Sequence, residues 1–276
     1  MSLAGRRVLV TGIADAASLA LHVAREVAAQ GATLVCAGLG PAAGQPGLSE
    51  AARTYLARAY ETFERTVADE LGPTVPTFAL DVAADESITA LADELVAKGL
   101  AVDGVVHAIA LDKTIRGGAA RPLLDVTRQE FLDCMSVSAW SLVALTAALV
   151  RANVLAEGGS IVALSYLGAE RVMAHPYRNI GVAKAALERI VRELAAELGR
   201  ARGVRVNAIR FSPYTASRAG GAIPGLDEAV AHAAARAPLG NASPRALALE
   251  VAHLLRSGLD VTGEVRHVDG GYHAMG

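Results

Sequence analysis

The chain has 276 residues, 53% of them hydrophobic and 20% charged, with a formal net charge of −2. That length suits one large α/β domain spanning 1–276 with a sizeable buried core. A near-neutral balance without a basic block argues against nucleic acid as a main partner, and no run reaches ~18 uninterrupted apolar residues, which argues against a membrane partner.

The two cysteines, Cys36 and Cys134, stand far apart and in no CxxC, so they read as reduced, buried thiols. The histidines show no metal spacing; His253, His267 and His273 fall in different predicted elements, and no metal is expected.

At the N-terminus, basic residues precede an apolar run that Thr11-Gly12 and Asp15 cut too early for a signal peptide. Arg7–Val10 is therefore a first strand and the protein is expected to be cytoplasmic. The strand runs into TGIADAAS, and a helix follows from about Ser18 to Gln30, stopped by Gly31. Strand, glycine turn and helix N-terminus form the layout that receives a pyrophosphate. The full G-x-G-x-x-G is absent: Gly12 is the only glycine, Ala14, Ala16 and Ala17 stand in as small residues, and Ser18 offers a hydroxyl.

Thr33–Ala37 is the second strand. A free ribose 2′-hydroxyl often meets an acid near this strand's end and a 2′-phosphate meets Arg; Gly38-Leu39-Gly40-Pro41 offers neither, which leans to NADH and leaves NADPH open. After a Gly/Pro/Ala loop at 40–47, Ser49 caps a helix from Glu50 to Leu71 whose apolar stripe (Tyr55, Tyr60, Phe63, Val67) reads as a packing face. Val75–Leu80 is the third strand, delivering Asp81 where a carboxylate could accept from an adenine amino group. Asp85 is expected to cap the next helix, to about Lys98. Gly104–Ala108 is the fourth strand, with His107 read as packed rather than catalytic. Residues 111–124 are a loop, and a helix at about 127–150 follows, whose most apolar part, Leu142–Val150, is too short to span a membrane.

Gly159–Ser165 and Val204–Ile209 are the fifth and sixth strands, separated by a helix from about Tyr177 to Gly199. A loose segment at 211–225, short helices at about 227–236 and 244–257, and a last strand at 264–268 complete the chain. Seven strands alternating with helices make a mostly parallel, doubly wound Rossmann-type sheet the economical solution. Gly12, Asp81, Ile109, Tyr166 and Pro213 then all fall at strand carboxyl ends, where such sheets bind ligands.

The stretch SYLGAERVMAHPYRNIGVAK carries the candidate chemistry. Tyr177 and Lys184 are separated by two helical turns and share a face. A phenol there can donate a proton or hydrogen bond, and an ammonium can hold ribose hydroxyls and favour the phenolate.

The chain resembles the short-chain dehydrogenases/reductases and, among them, the divergent branch of bacterial enoyl-acyl-carrier-protein reductases. TGIADAASLA, LDVAADES, VVHAIA, SYLGAER, RVNAI and GEVRHVDGGY carry the likeness along nearly the whole chain. The commoner branch uses Tyr-x3-Lys, whereas Ile180 stands four residues before Lys184, so the Tyr177-to-Lys184 spacing is the enoyl reductase one. The resemblance implies NADH as cofactor and a 2-enoyl thioester, on acyl carrier protein, as substrate, in fatty acid or polyketide biosynthesis. It implies that Tyr177 hydrogen-bonds the thioester oxygen, that Lys184 holds the ribose, and that Tyr166 lines the acyl side and assists orientation or protonation. It assigns the cofactor to Gly12, Ser18, Leu19, Leu39, Asp81, Val82, Ile109, Lys184, Pro213, Tyr214 and Thr215. It further implies a lid over about 211–236 and a homotetramer.

Departures from the branch pattern concern the substrate side. One extra residue lies within Val172–Pro176, Arg210-Phe211-Ser212 replaces a small, Gly-containing approach to Pro213, and Tyr214-Thr215-Ala216 follows it. Asp112-Lys113 stands where small or apolar residues are expected, and 40–71 is longer than usual. Together they point to an unusual acyl or polyketide thioester. Two other readings stay open: a short-chain carbonyl (keto) reductase, which needs a hydroxyl donor beside the tyrosine, and a catalytically silent nucleotide-binding paralogue.

Overall fold

The computed structural model describes residues 2–41, 47–116 and 118–275; part of the 40–47 loop therefore lies outside the described residues. In chain order the elements are β1 (Arg7–Thr11), α1 (Leu19–Ala29), β2 (Thr33–Gly38), α2 (Glu50–Leu71), β3 (Thr77–Ala79), α3 (Asp85–Ala97), β4 (Val102–His107), β5 (Ile115–Arg116) and β6 (Ala119–Ala120). They continue with α4 (Arg128–Met135), α5 (Ser141–Arg151), β7 (Leu155–Tyr166), α6 (Arg178–Arg202), β8 (Arg205–Phe211), α7 (Arg218–Gly221), α8 (Leu226–Arg236), α9 (Pro244–Leu254) and β9 (Val265–Val268).

Seven strands pair in the order β3-β2-β1-β4-β7-β8-β9, every neighbour parallel. Parallel neighbours need crossover helices, which cover both faces and leave the strands buried on both sides. One core layer joins Val35, Val105 and Ile161 to α3, α5 and α6; the other joins Val8, Val10 and Val162 to α1 and α9. Chain direction across the sheet reverses between β1 and β4, so a crevice opens beyond their carboxyl ends.

Several local expectations change. Asp85 is the first residue of α3 rather than its cap; Ala84 holds the cap position and makes no side-chain bond. Asp85 and Glu86 instead place negative charge in the first turn, where the helix dipole favours it. Ser49 does cap α2, accepting from the Ala52 amide at 3.2 Å. Residues 111–124 are not a plain loop: β5 and β6 form a small antiparallel hairpin. The helix expected at 127–150 begins with a Thr127–Glu130 capping box and contains a π-helical segment at Ser136–Trp140 between α4 and α5.

This run, Arg128–Arg151, is long and apolar enough by length and composition to cross a membrane, unlike the shorter Leu142–Val150 stretch considered alone. Half of its apolar window is buried inside the domain, as for a core helix of an α/β protein.

Candidate active site

Two adjoining cavities occupy the crevice. The first, about 600 Å³, runs across the ends of β1, β2, β3 and β4 and is lined by Gly12, Ser18, Leu19, Leu39, Asp81, Val82, Ile109 and Lys184. The second, about 490 Å³, lies beyond β7 and β8 and is lined by Tyr166, His175, Tyr177, Phe211, Pro213 and Tyr214. Leu19, Leu39, Tyr55, Leu111, Ser165 and Arg218 line both, so the two spaces meet.

Gly12 sits at the junction of β1 and β4. Its φ is +90°, and a Cβ there would stand 2.1 Å from the Ala108 carbonyl oxygen. Only glycine meets both conditions. The chain then turns into α1, whose first turn holds no acidic residue and whose Leu19 and Ala20 line the cavity. Ser18 Oγ accepts from the Ala14 and Asp15 amides at 3.0 Å each, which fixes the turn. A close-approach glycine leading into a helix N-terminus fits a pyrophosphate. Asp81 closes the far end; its Oδ1 accepts from the Ala83 amide at 3.0 Å and its residue faces the cavity.

Lys184 projects from α6 between the two carbonyls at the ends of β4 and β7. Its Nζ donates to Leu164 O at 2.8 Å and to Ile109 O at 3.1 Å. Burial pulls its pKa down to about 8, against opposing pulls from Cys134 and Glu188. Tyr177 holds the N-cap position of α6, half a step outside the predicted helix, and packs edge-on against Tyr166 with ring centroids 4.9 Å apart. Gly168 makes room for it: a Cβ there would stand 2.4 Å from Tyr177 Cδ1. Burial, then Tyr166, Cys134 and Glu188, push the Tyr177 phenol up. Burial thus favours the neutral phenol at Tyr177.

His107 is packed, as expected. It is fully buried, its Nε2 lies 2.8 Å from Ser141 Oγ, and burial, then Lys184, depress its pKa to about 3. Ser165 is committed elsewhere. Its Oγ donates to Glu188 Oε1 at 2.7 Å, and Glu188 Oε2 accepts from Arg210 Nη2 at 2.6 Å. Arg210 also pairs with Glu170.

Pro213 and Tyr214 line the second cavity rather than the first, and Thr215 lines neither. Phe211 and Tyr214 line that second cavity together, their ring centroids 6.3 Å apart. Tyr214 also ties this segment to the glycine turn, donating from its hydroxyl to Ala17 O at 3.1 Å.

The α2 stripe does more than pack. Tyr55, Leu56, Ala59, Thr62 and Phe63 line the first cavity beside the end of β2. The glycines flanking Leu39, facing a helix with aromatics, were the available signal. The C-terminal histidines also converge: donor atoms of His267, Asp269 and His273 lie within 4.8 Å of one another. Asp269 there accepts from the Gly271 and His273 amides and faces His273 Nδ1, so the group knits a turn.

Comparison with known proteins decides the family. The enoyl-(acyl carrier protein) reductase family model matches residues 12–273. The chain belongs to this family. Among curated relatives of this reductase, an NADH enoyl-acyl-carrier-protein reductase FabI of Bacillus cereus is 34% identical over 277 residues, covering 99% of each chain. An NADH enoyl-acyl-carrier-protein reductase of Rhizobium meliloti is 37% identical over 282 residues, covering 99% of this chain and 92% of that one. Among solved structures, the FabI–NADH complex from Alistipes finegoldii superposes with a TM-score of 0.85 at 27% identity, covering 99% of this chain and 90% of that chain. The family, the doubly wound sheet and the reductase class anticipated from the motifs are thus borne out.

Proposed function

We propose that this reductase reduces the 2,3 double bond of an enoyl thioester with NADH. The observation that carries the reading is the juxtaposition of the two cavities, with Lys184 lining the dinucleotide-sized one and Tyr177 the other. The lining of the first cavity would hold NADH, which would supply the hydride that the β-carbon of the substrate accepts. Charge then develops on the thioester oxygen, and the protonated Tyr177 hydroxyl is the donor available to meet it. A proton added to the α-carbon completes the saturated acyl thioester.

Lys184, held between the Ile109 and Leu164 carbonyls, sits where it can fix ribose hydroxyls. Tyr166, raised in pKa chiefly by burial, stays a neutral phenol on the acyl wall. The absence of an acid or a base in Gly38-Leu39-Gly40 is consistent with NADH, the cofactor of the Bacillus cereus and Rhizobium meliloti relatives. Acyl carrier protein as carrier, a lid over 211–236, a homotetramer and a cytoplasmic location belong to the same reading. Exposed Leu132, Trp140 and Val182 on α4, the π segment and α6 support association.

The commitment of the Ser165 hydroxyl to Glu188 disfavours the carbonyl reductase alternative, which needs that hydroxyl in the cleft. The test is NADH oxidation with crotonyl thioester against acetoacetyl thioester, wild type beside Tyr177→Phe. Turnover of crotonyl thioester that the substitution suppresses supports the proposal. Turnover of the keto compound alone supports the alternative, and nucleotide binding with neither turnover indicates a silent paralogue.

A further inference from the structure

The acyl-side cavity is largely apolar, yet three residues that line it, Asp112, Tyr166 and His175, carry buried polar atoms without a partner. Among the described residues, no group pairs with either ring nitrogen of His175, with Asp112 Oδ2 or with the Tyr166 hydroxyl. His175 is 3% exposed and its ring lies 5.6 Å from Tyr166 and 5.8 Å from Tyr177 by centroids. Asp112 has already given its other oxygen, Oδ1, to the Thr114 amide at 2.8 Å and the Thr114 hydroxyl at 2.7 Å. Leaving a buried polar group unpaired is costly, and a hydrocarbon chain would relieve none of this.

These groups come from different segments, the loop after Ile109 and the one before Tyr177. Asp112 and His175 nevertheless line one space. Burial holds His175 neutral by lowering its pKa, so it offers one donor and one acceptor. A carboxylate oxygen only accepts. A hydroxyl, which donates once and accepts twice, meets both demands.

Resting on the enoyl reductase reading, we propose that the acyl cavity is built for an enoyl thioester whose chain carries a hydroxyl group, recognised by Asp112 and His175. Both side chains are specificity determinants. Neither takes part in hydride transfer.

The experiment compares kcat/KM for 2-hexenoyl pantetheine with its 4-, 5- and 6-hydroxy derivatives, following NADH oxidation. At least one hydroxylated isomer is expected to exceed the parent ~10-fold or more, as for sites with buried polar groups awaiting a partner. Asp112→Ala and His175→Leu should each lower that ratio ~10-fold, and His175→Asn should restore part of it. NADH fluorescence titration identifies variants that keep the fold. The proposal is overturned if no hydroxylated isomer is preferred, or if folded variants leave the ratio unchanged. Oxidation of NADH by none of the thioesters would remove the enoyl reductase reading itself, a result distinct from turnover without preference.

Discussion

Ser165 and Glu188 are joined by a buried 2.7 Å hydrogen bond, so the hydroxyl next to Tyr166 serves the sheet–helix interface. Glu188 in turn is held by Arg210 through Nε at 2.8 Å and Nη2 at 2.6 Å. That pairing, more than any other cause, raises the Arg210 pKa. Ser165→Ala should therefore leave crotonyl thioester turnover little changed. A steady-state assay showing near-complete loss would return Ser165 to the catalytic machinery.

Arg210 and Glu188 are 7% and 5% exposed at their side chains. Removing one partner strands the other: Arg210→Ala is expected to cost ~3–5 kcal/mol of stability, while the double change Arg210→Met with Glu188→Leu should recover most of it. Urea denaturation of the three proteins measures this. Equal losses in single and double variants would contradict it.

The Gly12 turn allows no side chain. Gly12→Ala brings a Cβ within 2.1 Å of the Ala108 carbonyl oxygen at a φ of +90°. Backbone strain of ~1–3 kcal/mol is expected, together with a separation of β1 from β4 that weakens NADH binding. Thermal melts and cofactor titration read the two effects separately.

Lys184 gives a pH signature. Its ordinary pKa is 10.5 and burial takes the folded value to about 8. Between these values the unfolded chain binds the extra proton, so this residue's contribution to stability rises with pH across that window. The penalty for burying its charge is fully present below about pH 8. NADH affinity should move oppositely, falling as the ammonium is lost above that pH. Lys184→Met should bind NADH more weakly at pH 7 and flatten both profiles between pH 7 and 10.

Much of the fold was legible because each strand is a short apolar run ended by a turn residue or charge, and parallel strands carry such runs on both faces. Asp81 and Gly12 were placed by the same logic. The β5–β6 hairpin has two residues on each side, too few for alternation to register. The π segment continues the helical apolar pattern and leaves no mark in it. The Glu188–Arg210 pair joins α6 to β8 across 22 residues of sequence, a contact that no local pattern encodes. His175 looked like part of an insertion, and only the tertiary packing puts it between two tyrosines and the acyl cavity.

Isotope transfer tests the central claim most directly. Crotonyl thioester is reduced with NADH carrying deuterium at both C4 positions, and the butyryl product is analysed by NMR. The account predicts one deuterium at C3 and a solvent-derived hydrogen at C2, with both signals suppressed in Tyr177→Phe. Deuterium appearing instead only on the carbinol carbon of a reduced keto thioester, with crotonyl thioester untouched, would contradict it.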